Sequence, residues 1–221
     1  MKNIPRGDAI IINNVNYGGS NKRKGSDSDA EKLTKIFHDV YFNISMKRDL
    51  ESHEIFDVIR EMSSRDHSES DAFVCCILAH GSENAVYGID RKEIQIRDVI
   101  NLFIGTHCKS LAGKPKLFLV QACQGDDDHI MVRSQRDYVA DGIKYVPNEA
   151  DMLLALSTMP GYYSYRNEIL GSWFIQSFVK HFAENYKNTH LLDILTLVSS
   201  EVSERGQMPL VISTLRKHLY F

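Results

Sequence analysis

Four cysteines in 221 residues, none of them in a Cys-x-x-Cys pair, are too few and too scattered for a disulfide framework. No apolar run approaches the roughly 18 residues of a membrane span. The opening stretch, Met1 to Asp8, is polar and has no signal-peptide core. Both absences lead to the expectation of a cytoplasmic protein with no membrane partner. Charge of one sign is missing too: 26 Lys and Arg stand against 29 Asp and Glu, a net −3. No basic field implies nucleic acid as a partner, and Lys22-Arg23-Lys24 is too short a cluster to track phosphates. The nine histidines show no ligand spacing, so no metal and no other cofactor is implied. Internal repeats and low-complexity tracts are absent. What remains is 43% hydrophobic, enough to bury a sizeable core.

Two apolar runs dominate the pattern. Ala72-Phe73-Val74-Cys75-Cys76-Ile77-Leu78-Ala79 ends at His80-Gly81, and Lys116-Leu117-Phe118-Leu119-Val120 ends at Gln121-Ala122-Cys123-Gln124-Gly125. Each reads as a buried strand. Further strands are expected at Asp8 to Asn13, Asn43 to Met46, Met152 to Thr158 and Leu210 to Leu215. A helix opens at Ser26, Asp27 or Ser28 as candidate N-cap and buries Ala30, Leu33, Phe37 and Val40. Ser52 caps a second, with Ile55, Phe56, Ile59 and Met62 on one face. Ile96, Val99, Ile100 and Phe103 show helical spacing, and Ser172 to Asn188 and Leu191 to Arg205 read as helices. Strands alternating with helices predict an α/β fold: about six strands in a mostly parallel sheet with helices on both faces. Periodicity stops between Asp126 and Asn148, a polar segment expected to be a functional loop. Both sides of it contribute strands, so they are expected to share one sheet.

His80 and Cys123 stand at the carboxyl ends of two neighbouring strands, the edge where open α/β sheets bind ligands. A free thiol is mostly protonated at neutral pH. An imidazole that takes its proton and later protonates a leaving amine turns it into a nucleophile. The amides of Gly81 and Cys123 could form an oxyanion hole. Cys75, Cys76 and Cys108 read as apolar filler.

These residues resemble the caspases. Gln121-Ala122-Cys123-Gln124-Gly125 is similar to that family's nucleophile pentapeptide, and Ala79-His80-Gly81 to its His-Gly element. Arg23-Lys24-Gly25-Ser26-Asp27-Ser28-Asp29 resembles the loop that supplies a substrate-binding arginine. Gly161 to Asn167 with Gly171-Ser172-Trp173-Phe174 resembles the small-subunit substrate segment, and Leu219-Tyr220-Phe221 the family's close. The likeness runs from about Asp8 to Phe221. It implies a caspase-like three-layer sandwich and a cysteine endopeptidase that cleaves after aspartate, with apoptosis the usual setting. His80 and Cys123 match the catalytic pair, and Gly81 the oxyanion donor. Arg23, Gln121 and Arg166 match the pocket for the substrate aspartate, where two guanidiniums can grip one carboxylate. Ser164 to Arg166 would pair with the substrate backbone, and Tyr163 and Tyr165 would line the adjoining pocket. The backbone carbonyl of Asn21 matches the group that orients the histidine.

The resemblance further implies a large-subunit region (1–125), an activation linker (126–148) and a small-subunit region (149–221). Asp141-Gly142 is the expected processing site, with Asp126, Asp127, Asp128 and Asp137 as weaker ones. The last strand would form a homodimer interface. Protein substrates with exposed aspartates, an upstream caspase and inhibitor proteins are the implied partners. The chain begins just before its first strand, as an executioner-type chain or a catalytic fragment of a longer initiator would. Three departures stand out: Ala79 where some relatives have a hydroxyl, Gln124 where many have Arg, and only Gly206-Gln207-Met208 between the last helix and last strand. The third leaves preference upstream of the aspartate open. Two other readings remain: a catalytically silent caspase-like regulator that dimerises with or sequesters active relatives, and a caspase-fold peptidase of basic or asparaginyl specificity.

Overall fold

The computed structural model describes residues 1–19, 22–125 and 148–221. In chain order the elements are β1 (Gly7–Asn13), α1 (Ser26–Asp39), β2 (Phe42–Arg48), α2 (Ser52–Ser64), β3 (Phe73–Leu78), β4 (Gly81–Ser82), β5 (Ala85–Tyr87), β6 (Glu93–Gln95), α3 (Ile96–Asn101), β7 (Lys116–Gln121), β8 (Met152–Leu156), β9 (Arg166–Asn167), β10 (Gly171–Ser172), α4 (Trp173–Asn185), α5 (Leu191–Ser203) and β11 (Leu210–Ser213). A 3₁₀ turn at Lys109–Leu111 precedes β7.

The main sheet has six strands in the order β11-β8-β7-β3-β1-β2. All neighbours are parallel except β11, which runs antiparallel along β8 at the edge. Strand alternation sorts the side chains into two layers. Ala9, Ile11, Cys76, Leu78, Leu117 and Leu119 pack with α1, α4 and α5 on one face. Ile10, Ile12, Cys75, Ile77, Phe118 and Val120 pack with α2 and α3 on the other. This is the expected three-layer α/β sandwich, and β8 and β11 extend the same sheet as β3 and β7. Among the described residues no helix is long and apolar enough to cross a membrane.

Two helix starts differ from the expectation. The cap of α1 is Gly25, in the left-handed region at φ 81°. Ser26 is already helical, and its hydroxyl donates to Asn13 Oδ1 (2.6 Å) while accepting from Arg23 Nη1 (2.7 Å). The cap of α2 is Glu51, whose side chain exchanges bonds reciprocally with Glu54. Ser52 instead bonds Asp90 Oδ2 at 2.8 Å. The small sheets β4-β5-β6 and β9-β10 were not legible in the sequence, because strands of two or three residues carry no periodicity. Cys75, Cys76 and Cys108 are buried and free, and burial pushes the Cys75 thiol up to about 12, so it is inert at neutral pH.

Candidate active site

The register of β3 on β7 places Leu78 opposite Gln121, and Ala79 N–H donates to Gln121 O at 3.1 Å. His80 and Cys123 each lie two residues past that pair. Both strands end in step, so the imidazole and the thiol reach the same cleft, about 330 Å³, lined also by Tyr17, Gly81, Tyr87, Arg91 and Tyr163. Tyr17 locates the histidine. Its hydroxyl accepts from His80 N–H (3.0 Å) and donates to Tyr87 O (3.0 Å), and its ring meets the imidazole edge-on at 4.6 Å. Tyr17 was missed in the sequence, where a lone tyrosine in a glycine-rich loop has no signal.

Gly81 begins a short hairpin. Tyr87 N–H donates to His80 O (2.8 Å), which makes Gly81 and Val86 a non-hydrogen-bonded pair. The Gly81 N–H therefore points away from β5. A Cβ on Gly81 would sit 2.4 Å from Ala85 O and 3.0 Å from Cys123 O. Only glycine lets this backbone lie so close to the nucleophile's own. Gln124 ties the two together from a fully buried position. Its Oε1 accepts from Asn84 N–H (3.0 Å) and its Nε2 donates to Cys123 O (3.2 Å). The glutamine that departs from the family pattern is thus a brace between hairpin and nucleophile loop. Ala79, the other departure, packs in the apolar layer beside Ile77 and Val86.

On the α1 side of the sheet two arginines converge. Arg23, 1% exposed, donates from Nη1 to Asn14 O (2.9 Å) and from Nη2 to Gln121 O (3.5 Å). Arg166 comes from β9 and donates from Nε to Lys24 O at 2.8 Å. Among the described residues neither is ion-paired with a carboxylate. Burial, followed by the charge of Arg166, holds the Arg23 guanidinium down to about 9, and burial likewise lowers Arg166. Two buried polar atoms here lack a partner, Arg23 Nε and Gln121 Oε1. Gln121 Nε2 meets Ser164 Oγ at 2.6 Å. A flipped amide would accept from that hydroxyl and put an N–H donor where Oε1 now has no partner. Two cations, one of them with an unpartnered buried donor in Arg23 Nε, make this a place where an anionic group would be held.

Ser164 lies against Cys123: its N–H is 3.5 Å from Cys123 Sγ and its O is 3.8 Å away. The next residue faces the other way. Tyr165 N–H donates to Gln207 Oε1 (2.7 Å), and Tyr165 O accepts from Trp173 N–H (3.3 Å). Arg166 pairs with Ser172 in the β9-β10 hairpin. With Trp173 bonded to Tyr165, that pair is non-hydrogen-bonded, so the Arg166 N–H and C=O point to the open edge, as those of Ser164 do. An extended peptide could add to this edge. Tyr163, 38% exposed, lines the catalytic cleft, whereas Tyr165 stacks on Trp173 at 4.9 Å.

Gln207 was also missed. It sits in the connection between α5 and β11, which spans residues 204–209, and is fully buried. While Oε1 holds Tyr165, Nε2 donates to Ser157 O (2.6 Å), and Ser157 Oγ donates to Ala122 O (3.0 Å). One amide thereby links the open strand to the residue before the nucleophile. Asp29, also unforeseen, is buried under the arginines and accepts from Ser172 N–H (2.9 Å) and Gln176 Nε2 (2.7 Å). It anchors the β9-β10 hairpin to α1.

Residues 6–220 match the Caspase domain family model. The chain belongs to the caspase family. It is similar to Caspase-8 of Mus musculus, 37% identical over 249 residues that take in all of this chain and 52% of that protein. It is similar to Caspase-3 of Oryctolagus cuniculus, 38% identical over 233 residues, 97% of this chain and 83% of that protein. With Caspase-7 of Gallus gallus the identity is 36% over 238 residues, 97% and 77% of the two chains. The chain spans about half the length of its Caspase-8 relatives. In this caspase the structure brings His80, Gly81, Cys123 and Tyr163 around one cleft; Ser164 touches Cys123 and Gln121 beside it, and Arg23 and Arg166 lie next to Gln121 and Lys24. Asn21, Asp141 and the other linker aspartates lie outside the described residues.

Proposed function

We propose that this caspase is a cysteine endopeptidase that cleaves after aspartate. The observation that carries the reading is buried Arg23 and half-buried Arg166 beside Gln121, without an ion-paired carboxylate among the described residues, near the strand end that bears Cys123. In the proposed reaction the Cys123 proton passes to His80, and the thiolate attacks the carbonyl carbon of the aspartyl residue. The oxyanion is held by the Gly81 and Cys123 N–H groups. Collapse breaks the C–N bond, the amine leaves with the proton from His80, and a thioester remains. Water, deprotonated by His80, then attacks the thioester, releasing the new carboxylate and returning the thiol.

The test is cleavage of a matched peptide pair, aspartate against asparagine before the scissile bond, by wild type and Cys123→Ala. Aspartate-only cleavage that vanishes in Cys123→Ala supports nucleophile and pocket together. Cleavage of neither peptide, by intact or linker-cut protein, refutes the reading and favours a silent regulator.

We further propose that the protein is a cytoplasmic zymogen acting in apoptosis, activated by an upstream protease that cuts after Asp141 and restrained by inhibitor proteins. N-terminal sequencing of the small fragment should begin at Gly142. A homodimer through β11 fits the physics of that edge, where Ile212 is half-exposed and a strand-pairing surface lies open. Light scattering that finds only monomer, before and after processing, overturns it.

A further inference from the structure

The tip of the β9-β10 hairpin carries two apolar side chains in water: Ile169 is 82% and Leu170 62% exposed. They do not dangle. Asn167 Oδ1 accepts both their N–H groups at 2.9 Å. Leu170 O accepts from Ser28 Oγ (3.2 Å) and Lys32 Nζ (3.3 Å), and Asp29 holds the strand that returns. The turn is therefore built to present these side chains in a fixed place, at the far end of the strand on which the proposed substrate would lie.

Direction and register follow from the site. His80 must protonate the leaving amine, so the downstream part of a substrate exits on its side of the cleft, where Tyr163 also lies. The upstream part runs the other way, past Tyr165 and Arg166, antiparallel to them. Cys123 Sγ lies 3.5 Å from Ser164 N, so the aspartyl residue sits opposite Ser164. Counting the aspartate as the first residue upstream of the scissile bond, Arg166, whose backbone also faces the open edge, is then opposite the third, and Asn167 opposite the fourth. Continuing at roughly 3.3 Å per residue, the fifth and sixth reach residues 168–170. In the short connection at 204–209, Gln207 holds Tyr165.

We propose that Ile169 and Leu170 form a distal subsite that selects substrates with apolar residues at the fifth and sixth positions upstream of the scissile bond, the aspartate being the first. The proposal rests on the aspartate-directed reading above and adds to it a preference set by this hairpin. Because the tip is already ordered by Asn167, Ser28 and Lys32, burying an apolar side chain on it carries little ordering cost.

The experiment measures kcat/KM for three peptides that carry a fluorogenic amine as an amide on the aspartate: four residues ending in aspartate, and the same four extended at the amino end by either Leu-Val or Ser-Asn. The quantity read is the ratio of each extended peptide to the short one. In wild type the Leu-Val extension should raise the ratio about tenfold over Ser-Asn, the low end of what a single apolar contact gives. In Ile169→Asp/Leu170→Asp that gain should vanish. Equal ratios in wild type, or a gain that survives the double substitution, overturn the subsite while leaving the aspartate-directed reading intact. A gain lost only because the double variant changes oligomeric state in light scattering assigns the tip to a second copy and overturns the subsite. No cleavage of any peptide by wild type removes the reading and the subsite with it.

Discussion

Arg166 offers the sharpest test of the charge pocket, because it can be removed with less collateral damage than Arg23. The Arg23 side chain bonds Asn14 O, Ser26 Oγ and Gln121 O from a position 1% exposed. Truncating it leaves buried acceptors without donors, about 1–3 kcal/mol each. Arg166 makes one such bond, to Lys24 O. The perturbation is Arg166→Met, measured against the aspartyl and asparaginyl peptides as a double-mutant cycle. In wild type, replacing the carboxylate by an amide removes one partner of a buried charge pair, roughly 3–5 kcal/mol, or about 10²- to 10⁴-fold in kcat/KM. A hydrogen bond to a charged group is worth about 1.5–3 kcal/mol. Arg166→Met should therefore shrink the Asp:Asn ratio by roughly 10- to 150-fold, with the asparaginyl rate changed far less. Circular dichroism of the variant should match wild type. If both peptides slow by the same factor, Arg166 serves the strand and not the carboxylate, and the reasoning fails.

Other outcomes follow from the same geometry. Arg23, held down to about 9, is a cation below that pH and loses its charge as pH rises through it. The Asp:Asn ratio should be level near neutral pH and decline above about 9, and a ratio still level a full unit higher contradicts this. Gly81→Ala would drive a Cβ to 2.4 Å from Ala85 O and push the oxyanion donor off Cys123. A displacement near 1 Å corresponds to about 10² in kcat, so a variant with wild-type kcat overturns the role. Gln207→Leu removes the bonds to Tyr165 N–H and Ser157 O, about 2–6 kcal/mol of stability in all. Urea denaturation should show that loss, and at temperatures where the variant is folded KM should rise more than kcat falls.

The sandwich itself was legible because its signals are long. The β3 and β7 runs are unbroken apolar stretches, as strands buried on both faces must be, and α1, α4 and α5 repeat at 3.6 residues. Cap positions were less legible. Gly25 and Glu51, rather than Ser26 and Ser52, begin the helices, since both serine hydroxyls are drawn to partners brought up from elsewhere, Asn13 and Asp90. Local preference for a cap yields where a distant acceptor offers a better bond.

From the chain alone came the candidate chemistry: a thiol and an imidazole at two strand ends, glycines beside them, and two arginines. Strand parity and apolar runs are properties of neighbouring residues, so they can be read in one dimension. What surrounds that chemistry was decided in three. Tyr17 against His80, Gln124 bracing the hairpin, Asp29 under the arginines and Gln207 holding Tyr165 each join groups from separate parts of the chain. These are buried polar contacts, costly unless satisfied, and the packed fold alone determines which partner is within reach.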